Sequence, residues 1–347
     1  MRYACRPVGL LSRSDPISRF DVADVQRFYP RGRPPQPATF DWSFTMNLLG
    51  VLPYWQLGPW ELGPLTLHSF GLSVAIGVAL ALSILGSRGQ KILGVSGDRM
   101  QNFGMWLLIF GWCFSHVFEV VAYQPHIILE DPLVLFKVWG SISSVGGLIG
   151  GVIAFLIWRV RNPYEDHIGW SNVAAFTLPI AFFFGRIGCA LVHDHPGADA
   201  TNFVVWEWIR SIFGDSLPEV WPLALQYPDG VPRHDLGFYE AIIFFFLTLF
   251  VLYKGRKPQR RGYYLWTLPL LYAPFRFLFD FLRVTPGEAG LHGDTRYLML
   301  TPAQWVAIGM FILGLFLWSK LRNEPLETWK GLEKSTSDDE EPESSSE

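Results

Sequence analysis

Two arginines stand in strongly apolar surroundings. Arg186 lies in FFFGRIGCALVHDHPG (182–197), and Arg276 lies in LYAPFRFLFDFLR (271–283). A cation inside an apolar helix costs about 2.5–3.5 kcal/mol on insertion scales, so each needs a reason to be there. Arg186 has three: anchoring the end of its helix by snorkelling, pairing with a carboxylate, or holding an anion. Around Arg276 the spacing says more, because Tyr272, Arg276, Asp280 and Arg283 recur at i, i+4, i+8 and i+11 and so share one helical stripe. Arg276 and Asp280 can form a local ion pair. Arginines on two different segments also suit a second task, since guanidinium forks hold phosphate bidentately. At membrane depth the phosphate on offer is a lipid headgroup.

His193, Asp194 and His195 follow Arg186 closely, just before Pro196 and Gly197, which are expected to end the helix. Imidazole titrates near neutral pH, with an ordinary pKa of about 6.5, so these three are the acid/base candidates. As metal ligands, His193 and His195 lack a clear fourth partner, and no metal or other cofactor is expected. Cys5, Cys113 and Cys189 are widely separated without a CxxC pair and read as small apolar residues. Gly146, Gly147, Gly150 and Gly151 in SSVGGLIGG form overlapping GxxxG patterns, which allow close approach of a helix or of a ligand. His116 and Glu119 sit one turn apart, open to reading as a site or as a mutually satisfied couple. Glu240 begins an apolar run, where a carboxylate near a helix N-terminus is favourable in any case; Arg233, His234 and Tyr239 precede it.

The elements that must position these groups are membrane helices. Of the 347 residues 50% are hydrophobic and only 17% charged, against about a quarter in soluble domains. Apolar runs of the roughly 20 residues that cross a bilayer recur near 66–86, 103–123, 142–160, 172–192, 238–253, 263–282 and 301–319. The expected fold is an all-α, seven-helix transmembrane bundle. Lys and Arg collect in the loops after the first, third, fifth and seventh runs, while the loop 193–237 is acidic. The expected topology therefore has the N-terminus outside and the C-terminus in the cytoplasm. The net charge of −3 and the absence of a Gly-rich phosphate loop after a strand give no support to nucleic acid or nucleotide as partner.

The ends differ from this core. Residues 1–60 read as an external N-terminal segment. Its first 45 residues carry seven arginines and no lysine, and Met46 is an alternative start, so they read either as a mis-assigned start or as a disordered extension. Residues 323–347 close in STSDDEEPESSSE and read as an acidic, disordered cytoplasmic tail.

Taken in order, LGPLTLHSFGL (62–72), DPLVLFKVW (131–139), GGLIGG (146–151), FGRIG (184–188), YEAIIFF (239–245), YAPFRFLFDFLR (272–283) and LTPAQW (300–305) resemble the bacterial prolipoprotein diacylglyceryl transferases. The resemblance runs from about Glu61 to Trp318. It implies a multi-pass enzyme of the bacterial inner membrane that moves a diacylglyceryl group from phosphatidylglycerol to the thiol of a lipobox cysteine in a prolipoprotein signal peptide, releasing glycerol phosphate. Carried over, Arg186 and Arg276 match the family's two critical arginines, and Asp280 and Arg283 match an acidic and a basic position on the same stripe. Asp194 falls where the signature has glutamate. The expected phospholipid-binding set is Arg186, Arg276, Arg283, Asp280, Tyr272, Gly146 and Gly147, and the expected catalytic set is His193, Asp194, His195 and Arg276. The chain departs from the family at Val145, where the HGG motif has histidine, and at Phe70, where the first span has tyrosine. In the signature it departs at Cys189, Val192 and His193, which replace asparagine, asparagine and glycine. The rival classes are a non-catalytic lipid-binding or scaffold protein, a related transferase with a different acceptor, a metalloenzyme built on the two histidines, and a transporter.

Overall fold

The computed structural model describes residues 51–329 apart from 64, 139, 215 and 285–294. The arginine-rich segment 1–45 and the acidic tail from 330 onward lie outside the described residues. Seven helices are long and apolar enough to cross a membrane, one for each expected run. They are α1 (Ser69–Leu93), α2 (Gly97–Phe118, prolonged by a π-helical turn Glu119–Tyr123), α4 (Ser144–Arg161), α5 (His167–Val192), α7 (Leu236–Lys254), α8 (Tyr263–Phe279, prolonged by a 3-10 turn Asp280–Leu282) and α9 (Pro302–Leu321). Two short helices, α3 (Pro125–Glu130) and α6 (Val204–Phe213), lie in the connections. The protein is a helical, multi-pass membrane protein.

Helix limits follow local chemistry. α1 continues past the expected end at 86 because nothing stops it before Gly94, which takes the left-handed conformation (φ 70°) and caps the helix. α5 ends at Val192, before Pro196, because His193 itself adopts the left-handed cap (φ 51°). Pro196 and Gly197 instead enter a strand.

The core lies between α5, α7 and α8, where Phe176 and Ile180 meet Phe244, Leu247 and Val251, with Tyr264 and Leu268 closing the layer. α4 packs on α2 through its glycines. A Cβ on Gly146 would fall 2.5 Å from Phe118 Cβ, and one on Gly150 would fall 2.4 Å from Phe114 Cβ. Outward-facing Phe246, Ile312 and Phe316 are exposed, as lipid-facing positions of a bundle must be.

A feature without an apolar signature covers one end. Strands β1 (Leu52–Pro53), β5 (Leu225–Gln226), β6 (Pro232–Asp235) and β4 (Pro196–Asp199) form a small sheet in that order, with β1 parallel to β5 and the other pairs antiparallel. A separate hairpin joins β2 (Trp60–Leu62) to β3 (Leu65–Leu67). Beside the sheet, α6 buries Trp206 against Trp221 (ring centroids 5.2 Å) and exposes Val204, Val205, Trp208 and Ile212 on its opposite side. An apolar helical face at the polar end of a bundle suits the membrane interface.

At the other end, residues 323–329 fold back onto the bundle. Glu327 is buried and accepts from Asn172 Nδ2 (2.5 Å), while its backbone N–H donates to Gln259 (2.8 Å).

The sheet carries a pH-sensitive contribution to stability. His234 on β6 is buried against Phe203, and its Nδ1 lies 2.9 Å from the Tyr239 hydroxyl, which donates to the Leu223 carbonyl. Burial pushes the His234 pKa down to about 4, with Asp199 opposing. Between pH about 6.5 and about 4 the unfolded chain therefore binds a proton that the folded chain excludes. Stability falls as pH falls through that window, by about 3 kcal/mol at its lower end. Unfolding of the detergent-solubilised protein across this range is expected to show this slope in the parent and not in His234→Gln; equal slopes refute it.

Candidate active site

α5 and α8 end, and α4, α7 and α9 begin, at the end of the bundle that carries the sheet. This arrangement gathers polar residues from five helices. Glu240, in the second turn of α7, is buried between the two arginines. Arg186 Nε lies 2.6 Å from its Oε2, an ion pair in which the N–H is not aligned for a hydrogen bond. Arg276 Nη1 is hydrogen-bonded to Oε1. All three side chains are nearly sealed from solvent, at 4%, 4% and 1% exposure, so both guanidiniums are fixed on one carboxylate.

Each arginine has further partners. Arg186 Nη2 donates to Ser144 Oγ at the start of α4 (2.7 Å), and its Nη1 lies 3.9 Å from Cys189 Sγ. Arg276 Nη2 is 3.1 Å from Asp280 Oδ1, which also accepts from Arg283 Nε (2.8 Å). The other Asp280 oxygen accepts from Thr301 Oγ1. Thr301 is the N-cap of α9 in a capping box with Gln304, and this explains the ThrProAlaGln sequence in physical terms. Arg276 Nε is buried without an acceptor among the described residues. Among the described residues, these contacts link Arg186, Arg276 and Arg283 through Glu240 and Asp280.

Beside this cluster a small, mostly apolar cleft of about 30 Å³ lies among α4, α5, α8 and α9. Arg276, Ser144 and Tyr272 stand at its polar side, and Val145, Leu148 and Val306 are among its apolar wall. Tyr272 packs on Phe244 (ring centroids 4.8 Å). The expected stripe is continuous only as far as Phe279. Asp280 begins the 3-10 turn, and Arg283 is extended and bridges to Gly197 on β4. That close approach needs glycine, since a Cβ at 197 would lie 2.6 Å from the His234 carbonyl oxygen and 2.7 Å from that of Leu282.

The other expected residues separate into groups. His193 turns away from the arginines: its Nδ1 faces Asp235 Oδ2 at 2.6 Å, and its Nε2 is hydrogen-bonded to the Trp55 carbonyl. Asp235 also accepts from Phe238 N (2.7 Å), capping α7, and from the Tyr227 hydroxyl (3.1 Å). Asp194 and His195 stay at the site mouth, Oδ1 to Nδ1 3.4 Å, with 40% and 29% of their side chains exposed. Gly146 packs against α2, and Gly147 has Ser115 Cβ within 3.6 Å of where its own Cβ would stand. His116 and Glu119 do not pair with each other. His116 Nδ1 and Nε2 lie 2.9 and 2.8 Å from the Ser141 and Val134 carbonyls, which pins the α2–α4 connection. Glu119 accepts from Gln124.

The sequence profile described as prolipoprotein diacylglyceryl transferase matches residues 59–320, a stretch that contains every group in the cluster. The chain belongs to the prolipoprotein diacylglyceryl transferase family. Among curated relatives, it is 29% identical over 284 residues to the phosphatidylglycerol–prolipoprotein diacylglyceryl transferase of Pseudoalteromonas atlantica, covering 80% of this chain and 92% of that one. To the enzyme of the same name from Glaesserella parasuis it is 27% identical over 266 residues, 74% and 89% of the two chains. A Clostridium perfringens transferase 2 is 25% identical over 261 residues, 75% and 93%. For a transferase of this family, the departures acquire locations. Val145 lines the cleft where the HGG histidine belongs, and His193 occupies a left-handed cap where the signature has glycine, the residue that adopts it most readily.

Sequence reasoning left Glu240 as a helix-end carboxylate and passed over Ser144, Cys189 and Thr301. The usable signal for Glu240 was its place inside YEAIIFFF, since a carboxylate bordered by apolar residues in a chain with two intramembrane arginines needs one of them.

Proposed function

We propose that this protein transfers the diacylglyceryl group of phosphatidylglycerol to the thiol of a lipobox cysteine in a prolipoprotein signal peptide and releases glycerol phosphate. The observation that carries the reading is the convergence of two buried guanidiniums, from α5 and α8, at the head of an apolar cleft. The apolar wall of the cleft, with Val145, Leu148 and Val306, is the side along which acyl chains would lie. Arg276 Nε, buried without an acceptor among the described residues, offers a phosphodiester anion a donor. As the thiolate attacks the glyceryl carbon, charge builds on the departing phosphate oxygen. Fixed cations in a dry site stabilise that charge more than the ground state. Asp280, Arg283 and Tyr272 orient the pair. Asp194 and His195, at the exposed mouth, are the groups a thiol meets on entry, and Gly146 and Gly147 serve the packing of α4.

His193 is assigned a structural role. Loss of a general base costs about 10²–10⁴-fold in rate, whereas both ring nitrogens of His193 are already engaged, by Asp235 and by the Trp55 carbonyl, away from the arginines. His193→Gly is therefore expected to weaken the sheet against chemical unfolding while transfer per folded molecule falls by less than about tenfold; a loss in the general-base range of about 10²–10⁴-fold returns the histidine to the chemistry.

The Lys- and Arg-rich end, with Arg88, Lys91, Arg159, Arg161 and Lys254, is placed in the cytoplasm, which sets the site at the outer face of the inner membrane. The experiment is direct: purified protein, phosphatidylglycerol and a lipobox peptide, with mass spectrometry of the peptide. A gain of one diacylglyceryl unit is expected. Retention of the lipid without product supports the second reading, a phospholipid-binding protein, for which Val145 at the cleft is the favouring observation.

A further inference from the structure

Two positions at which the chain departs from the signature, Cys189 and Asp194, converge in space with the adjacent His195. Cys189 in the last turn of α5, Asp194 and His195 each present one ligand atom such that all three lie within 4.8 Å of one another. We propose that these residues form a three-ligand zinc site, with the fourth position open to the incoming lipobox thiol. The proposal rests on the transferase reading above and supplies what the chain lacks at Val145, a means of generating thiolate.

Geometry and chemistry support it together. The Asp194 Oδ1 to His195 Nδ1 separation of 3.4 Å matches two ligands on one tetrahedral ion, which at bond lengths of about 2.0–2.1 Å are about 3.4 Å apart. Sulfur, nitrogen and oxygen donors are the set zinc prefers, and three protein ligands with one open position is the arrangement of catalytic zinc. A Cys189 thiolate and the Asp194 carboxylate cancel the two charges of the ion. Arg186 Nη1, 3.9 Å from Cys189 Sγ, donates to the sulfur from outside the ligand shell and links the metal to the phosphate-holding pair. Cys189 is buried whereas Asp194 and His195 reach the surface, so the open coordination side faces the mouth. His193 does not compete for the same ion, because its ring is held by Asp235.

The step balances. The substrate thiol binds zinc as thiolate and its proton leaves to water at the mouth. Sulfur then forms a bond to the glyceryl carbon while the carbon–oxygen bond to phosphate breaks, its electron pair passing to the phosphate oxygen beside the arginines. The product is a thioether, a weaker donor than thiolate, and it leaves the ion.

The test uses the full chain in detergent, stripped with a chelator and reloaded with Zn²⁺ or Co²⁺. One equivalent of metal is expected, with thiolate-to-cobalt charge-transfer absorption and the intense visible bands of tetrahedral cobalt. Cys189→Ser abolishes the charge-transfer band, Cys113→Ser retains it, and His195→Ala weakens zinc binding by more than about tenfold. A lipobox peptide adds a second thiolate signal that its Cys→Ser version does not. Substoichiometric metal, an unchanged cobalt spectrum in Cys189→Ser, or full transfer after chelation overturns the site while leaving the transferase reading intact. Metal and thiolate signals without consumption of phosphatidylglycerol uphold the site and remove the transferase reading.

Discussion

Arg276→Lys is expected to lower diacylglyceryl transfer by about 10²–10³-fold, the loss that follows removal of one fixed donor for developing negative charge. Two nitrogens of this guanidinium are engaged, Nη1 by Glu240 and Nη2 by Asp280, and Nε is left for the substrate. A lysine ammonium is one point of charge on a flexible stem and cannot hold two carboxylates and a phosphate in one plane. Because lysine retains the charge, the bundle is expected to stay folded and to retain phosphatidylglycerol. The effect should therefore appear in turnover of bound lipid more than in its retention. Turnover within tenfold of the parent contradicts the assignment of Arg276 to the leaving phosphate.

The second large effect is on stability. Glu240→Ala leaves two buried guanidiniums without the carboxylate that fixes them both, and breaking a buried ion pair on one side costs about 3–5 kcal/mol. Asp280 and Ser144 retain their contacts, so the variant is expected to fold with a lowered midpoint. Phosphatidylglycerol should restore part of that midpoint because its phosphodiester replaces the missing negative charge, and ligand binding to the folded state stabilises it by mass action. Phosphatidylcholine, whose phosphodiester is paired with its own cation, should restore less. Thermal unfolding at matched lipid-to-detergent ratios measures both. Equal recovery with the two lipids removes the argument from charge.

The seven crossings were legible because a run of apolar residues long enough to span a bilayer leaves the chain almost no other choice. The sheet was not, because strands of two to four residues carry no usable alternation and owe their existence to partners such as Leu52 and Leu225, far apart in sequence. The arginines announced themselves by their cost. Glu240 did not, because the start of a helix already accommodates a carboxylate. The fourth apolar run, 172–192, ends where α5 ends; what the sequence does not show is the left-handed turn at His193, which sends that ring to Asp235 and leaves Asp194, His195 and Cys189 as neighbours. Nothing local in the sequence marks Cys189 as more than a small apolar residue.

Under the function proposed above, the cleft among α4, α5, α8 and α9 predicts how the lipid is supplied: with the sheet over the polar end of the bundle, the donor would enter sideways, already dissolved in the leaflet. The relevant concentration is then two-dimensional: at constant bulk amounts of lipid and protein, diluting phosphatidylglycerol with a neutral amphiphile should slow turnover in proportion to its mole fraction. Enlarging the total volume of buffer should leave the rate unchanged.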